Sequence, residues 1–321
     1  MNALPPFKSV RYAGRAPGTR LIVLGAVHGN ETCGTRAIER VLAELDRGDL
    51  VITAGSVSFV PITNPLAYAN GRRTGDRNLN RALQPTDTPR EFEDHVANWL
   101  CPLLAAHEVL LDLHSFHGNG QPFVMVGPLD NRGALEPFAQ ATREEALARC
   151  LGVDRAVDGW LDTYAAGVAQ RRRAAEAAGL AEALEMDPRY GVGTTEYMRS
   201  IGGCGLTLEC GGHEDPQSVE VGYHAIRHVL AHLGLTAEPA PPQRKLRTLS
   251  LASVVDKQDA ADAFVRDWRS FDPVRQGELI GRRAGGEPVA APHDGWIIFP
   301  YAAAAARQEW FYLARASSRF D

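Results

Sequence analysis

Apolar positions along the first 235 residues follow two alternating rhythms. Unbroken apolar runs at Arg20–Ala26 (RLIVLGA), Val57–Ile62 (VSFVPI), Val109–Leu113 (VLLDL) and Cys204–Glu209 (CGLTLE) predict buried strands, apolar on both faces as in a sheet covered by helices. Between the runs, apolar residues recur at helical spacing. Ile38, Val41, Leu42 and Leu45 mark one helix, and Phe92, Val96, Trp99, Leu100 and Leu103 mark a second, opened by Pro89. Val219, Ile226, Val229, Leu230 and Leu233 mark a third behind Asp215-Pro216. The Ala- and Arg-rich stretch Glu136–Leu184 predicts mostly helix, and Thr63–Thr88 a long polar loop. Strands alternating with helices predict an α/β fold. Past the stiff segment Glu238–Pro242 (EPAPP) the rhythm shortens to strands and turns near Leu249–Val255, Gly277–Ile280, Glu287–Val289 and Gly295–Phe299. Residues 1–237 are therefore expected to form one domain and 243–321 a small β domain, a division that suits 321 residues.

Composition removes several function classes. Lys and Arg number 34 against 39 Asp and Glu, so the net charge is −5 and the basic surface that nucleic acid requires is missing. No apolar run reaches the roughly 20 residues of a membrane span. Met1–Tyr12 lacks the apolar core of a secretory signal. Five cysteines without a CxxC fit a reduced, cytoplasmic chain better than a disulfide framework. A homo-oligomer is compatible with the sequence, which does not specify one.

The chemistry concentrates at strand ends, the edge where α/β folds bind ligands. The first run leads into His28-Gly29-Asn30-Glu31, placing an imidazole and a carboxylate three residues apart on a turn. The third ends in Asp112-Leu113-His114-Ser115, with Asp112 alternating to the same face as His114. Two histidines and one carboxylate suit a catalytic zinc that keeps a position for water. Taken alone, the His28–Glu31 pair means little, and His114 reads better as a capping or loop histidine. Glu209 leaves a run so apolar that its charge needs a partner, and beside a metal it is a candidate general base. The loop holding Arg72, Arg73, Asp76, Arg77, Asn78, Asn80 and Arg81 suggests a carboxylate pocket, although such loops are often simply solvated. Arg199 invites the same two readings. His117 and His213 lie close to these residues in sequence, whereas His224, His228 and His232 read as a solvated helix face.

In this order the segments HGNE, NPLAYANGRRTGDRNLNR, DLHS and LTLECGG resemble the succinylglutamate desuccinylase/aspartoacylase family, which belongs to the zinc carboxypeptidase-like hydrolases. The resemblance spans residues 28 to 211. It implies a three-layer zinc-carboxypeptidase-like domain with a central mixed sheet, followed by a small C-terminal β domain, barrel- or sandwich-like, that narrows the active-site mouth. His28, Glu31 and His114 would hold one Zn²⁺ per chain. Glu209 would be the general base, and Arg73 would polarise the scissile carbonyl. Asn80, Arg81 and Arg199 would bind a substrate carboxylate. Tyr301 lies near, but out of register with, the tyrosine that aspartoacylases contribute from their C-terminal domain. The implied activity is hydrolysis of a small N-acyl amino acid. Three other readings use the same residues: a zinc carboxypeptidase on short or cell-wall peptides, a zinc esterase or amidase for substrates without a carboxylate, and a non-catalytic zinc or small-molecule binding protein.

Overall fold

The computed structural model describes residues 6–118, 120–133, 135–177 and 187–321. Among them, eleven strands form one mixed sheet. Its order is Val10–Ala13, Ala54–Val60, Ala16–Gly25, Val109–Phe116, Cys204–Gly212, Phe123–Met125, Arg155–Asp158, Arg247–Asp256, Glu309–Ser317, Gly295–Ile298 and Pro273–Val274. Ala16–Gly25 runs parallel to both neighbours, and Val109–Phe116 runs parallel to Cys204–Gly212. Phe123–Met125 then pairs antiparallel with Cys204–Gly212, which makes the sheet mixed.

Helices cover both faces. Cys33–Arg47, Ala141–Cys150 and Gln217–His232 pack Ile38, Val41, Leu147, Ile226 and Val229 on one side, against Leu111, Leu206 and Leu208. Phe92–Ala105 and Thr194–Ser200 pack Val96, Leu100 and Met198 on the other, against Ile22, Leu24 and Leu110. Each such side chain, fully buried, contributes about 1.5–3 kcal/mol, so the unbroken apolar runs are what hold the three layers together.

Several boundaries move. The helix expected from Pro89 begins at Phe92, because the Asp94 carboxylate accepts from the Arg90 and Glu91 amides and fixes the start there. The stretch read as mostly helical contains the strand Arg155–Asp158 between the helices Ala141–Cys150 and Trp160–Ala177. Four residues are too few for a period-2 signal to stand out. Residues 178–184 of that stretch lie outside the described residues. Short strands at Val10–Ala13 and Phe123–Met125 were illegible for the same reason.

Beyond the EPAPP segment, Arg247–Asp256 pairs parallel with Arg155–Asp158 and antiparallel with Glu309–Ser317, so the later strands extend the main sheet. Ala263–Phe264, Leu279–Arg282 and Pro288–Ala290 form a separate three-stranded sheet over Trp268, Ile280, Trp310 and Phe311. Asp262 ties the two sheets together, accepting from the Gln258 and Ala284 amides and from Arg283 Nη1 at 2.8–2.9 Å. Burial opposes its charge, but these donors outweigh it and bring the carboxyl from 3.8 down to about 2. Because the folded value is the lower one, Asp262 stabilises the fold above pH 4, and that contribution is lost as pH falls toward 2. Asp262→Asn is expected to cost about 1–3 kcal/mol at pH 7. Denaturant melts at pH 7 and pH 2.5 check this, with the gap closing at the lower pH. No helix among the described residues is long and apolar enough to cross a membrane.

Candidate metal centre and its cavity

The turn after strand Ala16–Gly25 starts under strain, with Ala26 at φ +46° in the left-handed region. His28 O accepts from the Glu31 amide, which closes the turn and brings both side chains inward. Gly29 permits this, since a Cβ there would sit 2.1 Å from the Ala67 carbonyl carbon. In strand Val109–Phe116, Asp112 and His114 share a face, and His114 lies in register with Glu209 of Cys204–Gly212. Two strand ends and one turn thus converge.

His28, Glu31 and His114 are 1–3% exposed and can each offer one ligand atom, all within 4.8 Å of one another. His28 Nδ1 lies 2.9 Å from Glu31 Oε1, and His114 Nδ1 lies 2.9 Å from Glu31 Oε2. The opposite ring nitrogens face oxygens: His28 Nε2 is hydrogen-bonded with Asn78 Oδ1 at 3.0 Å, and His114 Nε2 lies 2.9 Å from Asp112 Oδ2. This arrangement fixes the orientation of a metal-binding histidine. His28 Nδ1, although 2.9 Å from Glu31 Oε1, makes no well-aligned hydrogen bond among the described residues, as suits a ring nitrogen that could bind a metal. Glu31 is steadied further by Arg73 Nη1 at 2.7 Å on Oε1 and by the Ser115 amide at 3.0 Å on Oε2. The donor set fits a divalent, nitrogen- and oxygen-liking ion such as zinc.

The electrostatics agree. Burial, with Arg73 adding, brings His28 down to about 4. Burial also opposes the charge on Glu31, but the two imidazoles hold its carboxyl well below the usual range. His114 is held well above its ordinary value because Asp112 and Glu31 outweigh the effect of burial. Zinc binding at His114 would therefore release a proton. Glu209 is pushed up to about 8, chiefly by burial, with Glu31 and Asp112 adding and His114 and Arg73 opposing. Its Oε2 is buried and unpartnered.

All of these side chains except Asp112 line one cavity of about 2230 Å³. Arg81 lies on its wall with Cζ 4.9 Å above the Trp160 ring and 5.8 Å from Tyr164, and makes no ion pair among the described residues. Asn80 accepts from the Thr194 amide at 2.9 Å, tying the loop to helix Thr194–Ser200. Tyr301 reaches the cavity from beyond the linker and stacks on His117 (centroids 4.7 Å apart, planes 7° apart). His117 in turn meets His213 edge-on, and His213 Nδ1 lies 2.7 Å from the Ser115 hydroxyl. Arg199 also lines the cavity but is 4% exposed and spends its guanidinium on Glu136, Glu144, Glu196 and the Gly205 carbonyl.

Three contributors escaped the sequence reading. Glu93, fully buried, accepts from Asn64 Nδ2 and from the Gly75, Asp76 and Arg77 amides, and so shapes the arginine loop. Its signal, an acid in the first turn of an amphipathic helix, looks like ordinary dipole pairing. Trp160 and Tyr164, which support Arg81, sit in a segment whose apolar pattern only suggests packing.

Residues 17–130 match the family model "Succinylglutamate desuccinylase/Aspartoacylase catalytic domain". This segment carries His28, Glu31, the arginine loop and His114, and ends before Glu209. Several solved structures share the fold of nearly the whole chain. A succinylglutamate desuccinylase/aspartoacylase from Rhodobacter sphaeroides superposes with a TM-score of 0.72 at 17% identity, covering 97% of this chain and 89% of that one. The product-bound ectoine utilization protein from Ruegeria pomeroyi gives 0.68 at 21% identity, over 94% and 87%. An aspartoacylase family protein from Mesorhizobium loti gives 0.67 at 19%, over 98% and 90%. No curated protein sequence matches the chain. The expected α/β architecture with a central mixed sheet is the one these desuccinylase and aspartoacylase structures share.

Proposed function

We propose that the chain is a zinc-dependent deacylase, hydrolysing the amide bond of a small N-acylated amino acid or a related carboxylate-bearing amide. The observation that carries this reading is one cavity holding the His28–Glu31–His114 donor set, Glu209 with its Oε2 unpartnered among the described residues, and Arg81, which makes no ion pair among them. The family match over residues 17–130 supports it, as do the fold neighbours titled desuccinylase or aspartoacylase.

One Zn²⁺ held by His28, Glu31 and His114 would supply Lewis-acid activation of water and of the scissile carbonyl. The protein's own residues do the rest. Glu209 takes a proton from the attacking water and returns it to the departing amine, a role suited to a carboxyl whose proton affinity burial has raised. Arg73, held against Glu31, faces the developing oxyanion, and one such donor is worth roughly 3–4 kcal/mol in comparable sites. Arg81, backed by Trp160, receives the substrate carboxylate, with Asn80 beside it. Residues 1–237 are assigned to catalysis and 243–321 to the region narrowing the mouth, where Phe299, Tyr301 and Tyr312 line the cavity. The assigned setting is cytoplasmic, with a small-molecule substrate.

The cavity exceeds the roughly 300–1,000 Å³ usual for small ligands. That volume favours one alternative, a zinc carboxypeptidase acting on short peptides. A hydrolysis screen over N-acetyl and N-succinyl amino acids and dipeptides, with added zinc and again with a chelator, separates the two. The expected result is chelator-sensitive release of free amino acid from the acyl compounds. Cleavage confined to peptides would replace the deacylase reading.

A further inference from the structure

The resemblance assigns two arginines, Arg81 and Arg199, to substrate carboxylates, but the structure treats them very differently. Arg81 lies over Trp160, donates through Nη1 to the Asn80 carbonyl at 2.9 Å and meets no carboxylate among the described residues. Arg199 donates through Nε to Glu144 Oε2 (2.9 Å), through Nη1 to Glu136 Oε1 (2.8 Å) and Glu196 Oε1 (3.4 Å), and through Nη2 to the Gly205 carbonyl (2.7 Å). Four of its five N–H groups are spent. It also packs directly on the backbone of Gly127, where a Cβ would sit 2.2 Å from its Nε.

The three acids differ in what else they do. Glu144 also accepts from the Gly127 and Gly205 amides, and Glu196 accepts from the Gly193 amide. Both are structural. Among the described residues Glu136 makes no hydrogen bond but the one from Arg199, and it lines the cavity. Burial pushes its carboxyl up to about 7, with Glu196 and Glu144 adding and Arg199 opposing. A substrate carboxylate moving toward Arg199 would find three carboxyl groups around one guanidinium, with Glu136 and Glu196 both on the cavity wall. Like charges at such distances repel strongly in a poorly solvated site.

We propose that Glu136 is a specificity-determining residue: by occupying Arg199 it confines the site to N-acyl compounds with a single carboxylate, bound at Arg81, and turns dicarboxylates away. This rests on the deacylase reading and narrows it to N-acylated amino acids whose side chains are neutral or cationic.

Isosteric substrate pairs test it. N-acetylasparagine against N-acetylaspartate, and N-acetylglutamine against N-acetylglutamate, differ only in the second charge. Zinc-loaded wild-type enzyme is expected to favour the amide of each pair at least about tenfold in kcat/KM, and Glu136→Gln is expected to narrow that ratio several-fold. Calorimetric binding of the same pairs to Glu209→Gln protein gives a readout independent of turnover, with the amides again binding more tightly. Equal or better use and binding of the dicarboxylates by the wild type, or an unchanged ratio in Glu136→Gln, overturns the proposal. Hydrolysis that fails for every acyl compound while the binding preference holds counts against the deacylase reading and leaves the charge selection of the cavity intact.

Discussion

Replacing Glu209 with Gln is expected to lower kcat for amide hydrolysis by roughly 10²–10⁴-fold while zinc content stays at one per chain. The substitution is nearly isosteric and removes only the ability to take up and return a proton. Glu209 is well placed for that task. It stands in register with His114 on the adjacent parallel strand, is 7% exposed, and keeps Oε2 without a partner. It is not a metal donor of the buried triad, so zinc affinity is expected to change little. Steady-state kinetics together with elemental analysis of the same preparation check both halves. Retained hydrolysis would remove Glu209 from the role of base.

His114→Ala is expected to weaken zinc binding by more than about 100-fold, beyond the 10- to 100-fold typical of losing a group that merely supports a ligand. Hydrolysis falls with it. The change also strips Asp112 and Glu31 of the imidazole that lies 2.9 Å from each. Leaving buried carboxylates without their counter-charge costs about 3–5 kcal/mol. Zinc titration by competition with a chromophoric chelator measures the first effect. Chemical denaturation of metal-free protein measures the second. Wild-type zinc affinity in this variant would mean that the metal sits elsewhere.

How much of this was legible in the sequence follows from which signals are local. The strands that build the site are long apolar runs, and His28, Glu31, His114 and Glu209 sit where those runs stop, so motif and position pointed the same way. Asp112 was legible from strand alternation, and the structure places it 2.9 Å from His114. Pairings across sequence were not legible. Arg199 stands ten residues before Glu209 and reads there as a carboxylate receptor, but its partners Glu136 and Glu144 come from 63 and 55 residues away. Locally only Glu196 is in reach, at 3.4 Å, so the sequence does not announce that the charge is spent. Tyr301 is similar: its nearness to His117 depends on the later strands extending the main sheet through Arg155–Asp158, a four-residue strand inside an apparently helical stretch.

The proposed chemistry requires one zinc held by His28, Glu31 and His114. The most direct test is to strip purified protein with a chelator and return zinc in sub-stoichiometric steps while following release of amino acid from an N-acyl substrate. Activity is expected to vanish on stripping and to return in proportion to zinc, reaching a plateau at one equivalent per chain. Activity that survives stripping, or a protein that takes up no zinc, would contradict that requirement.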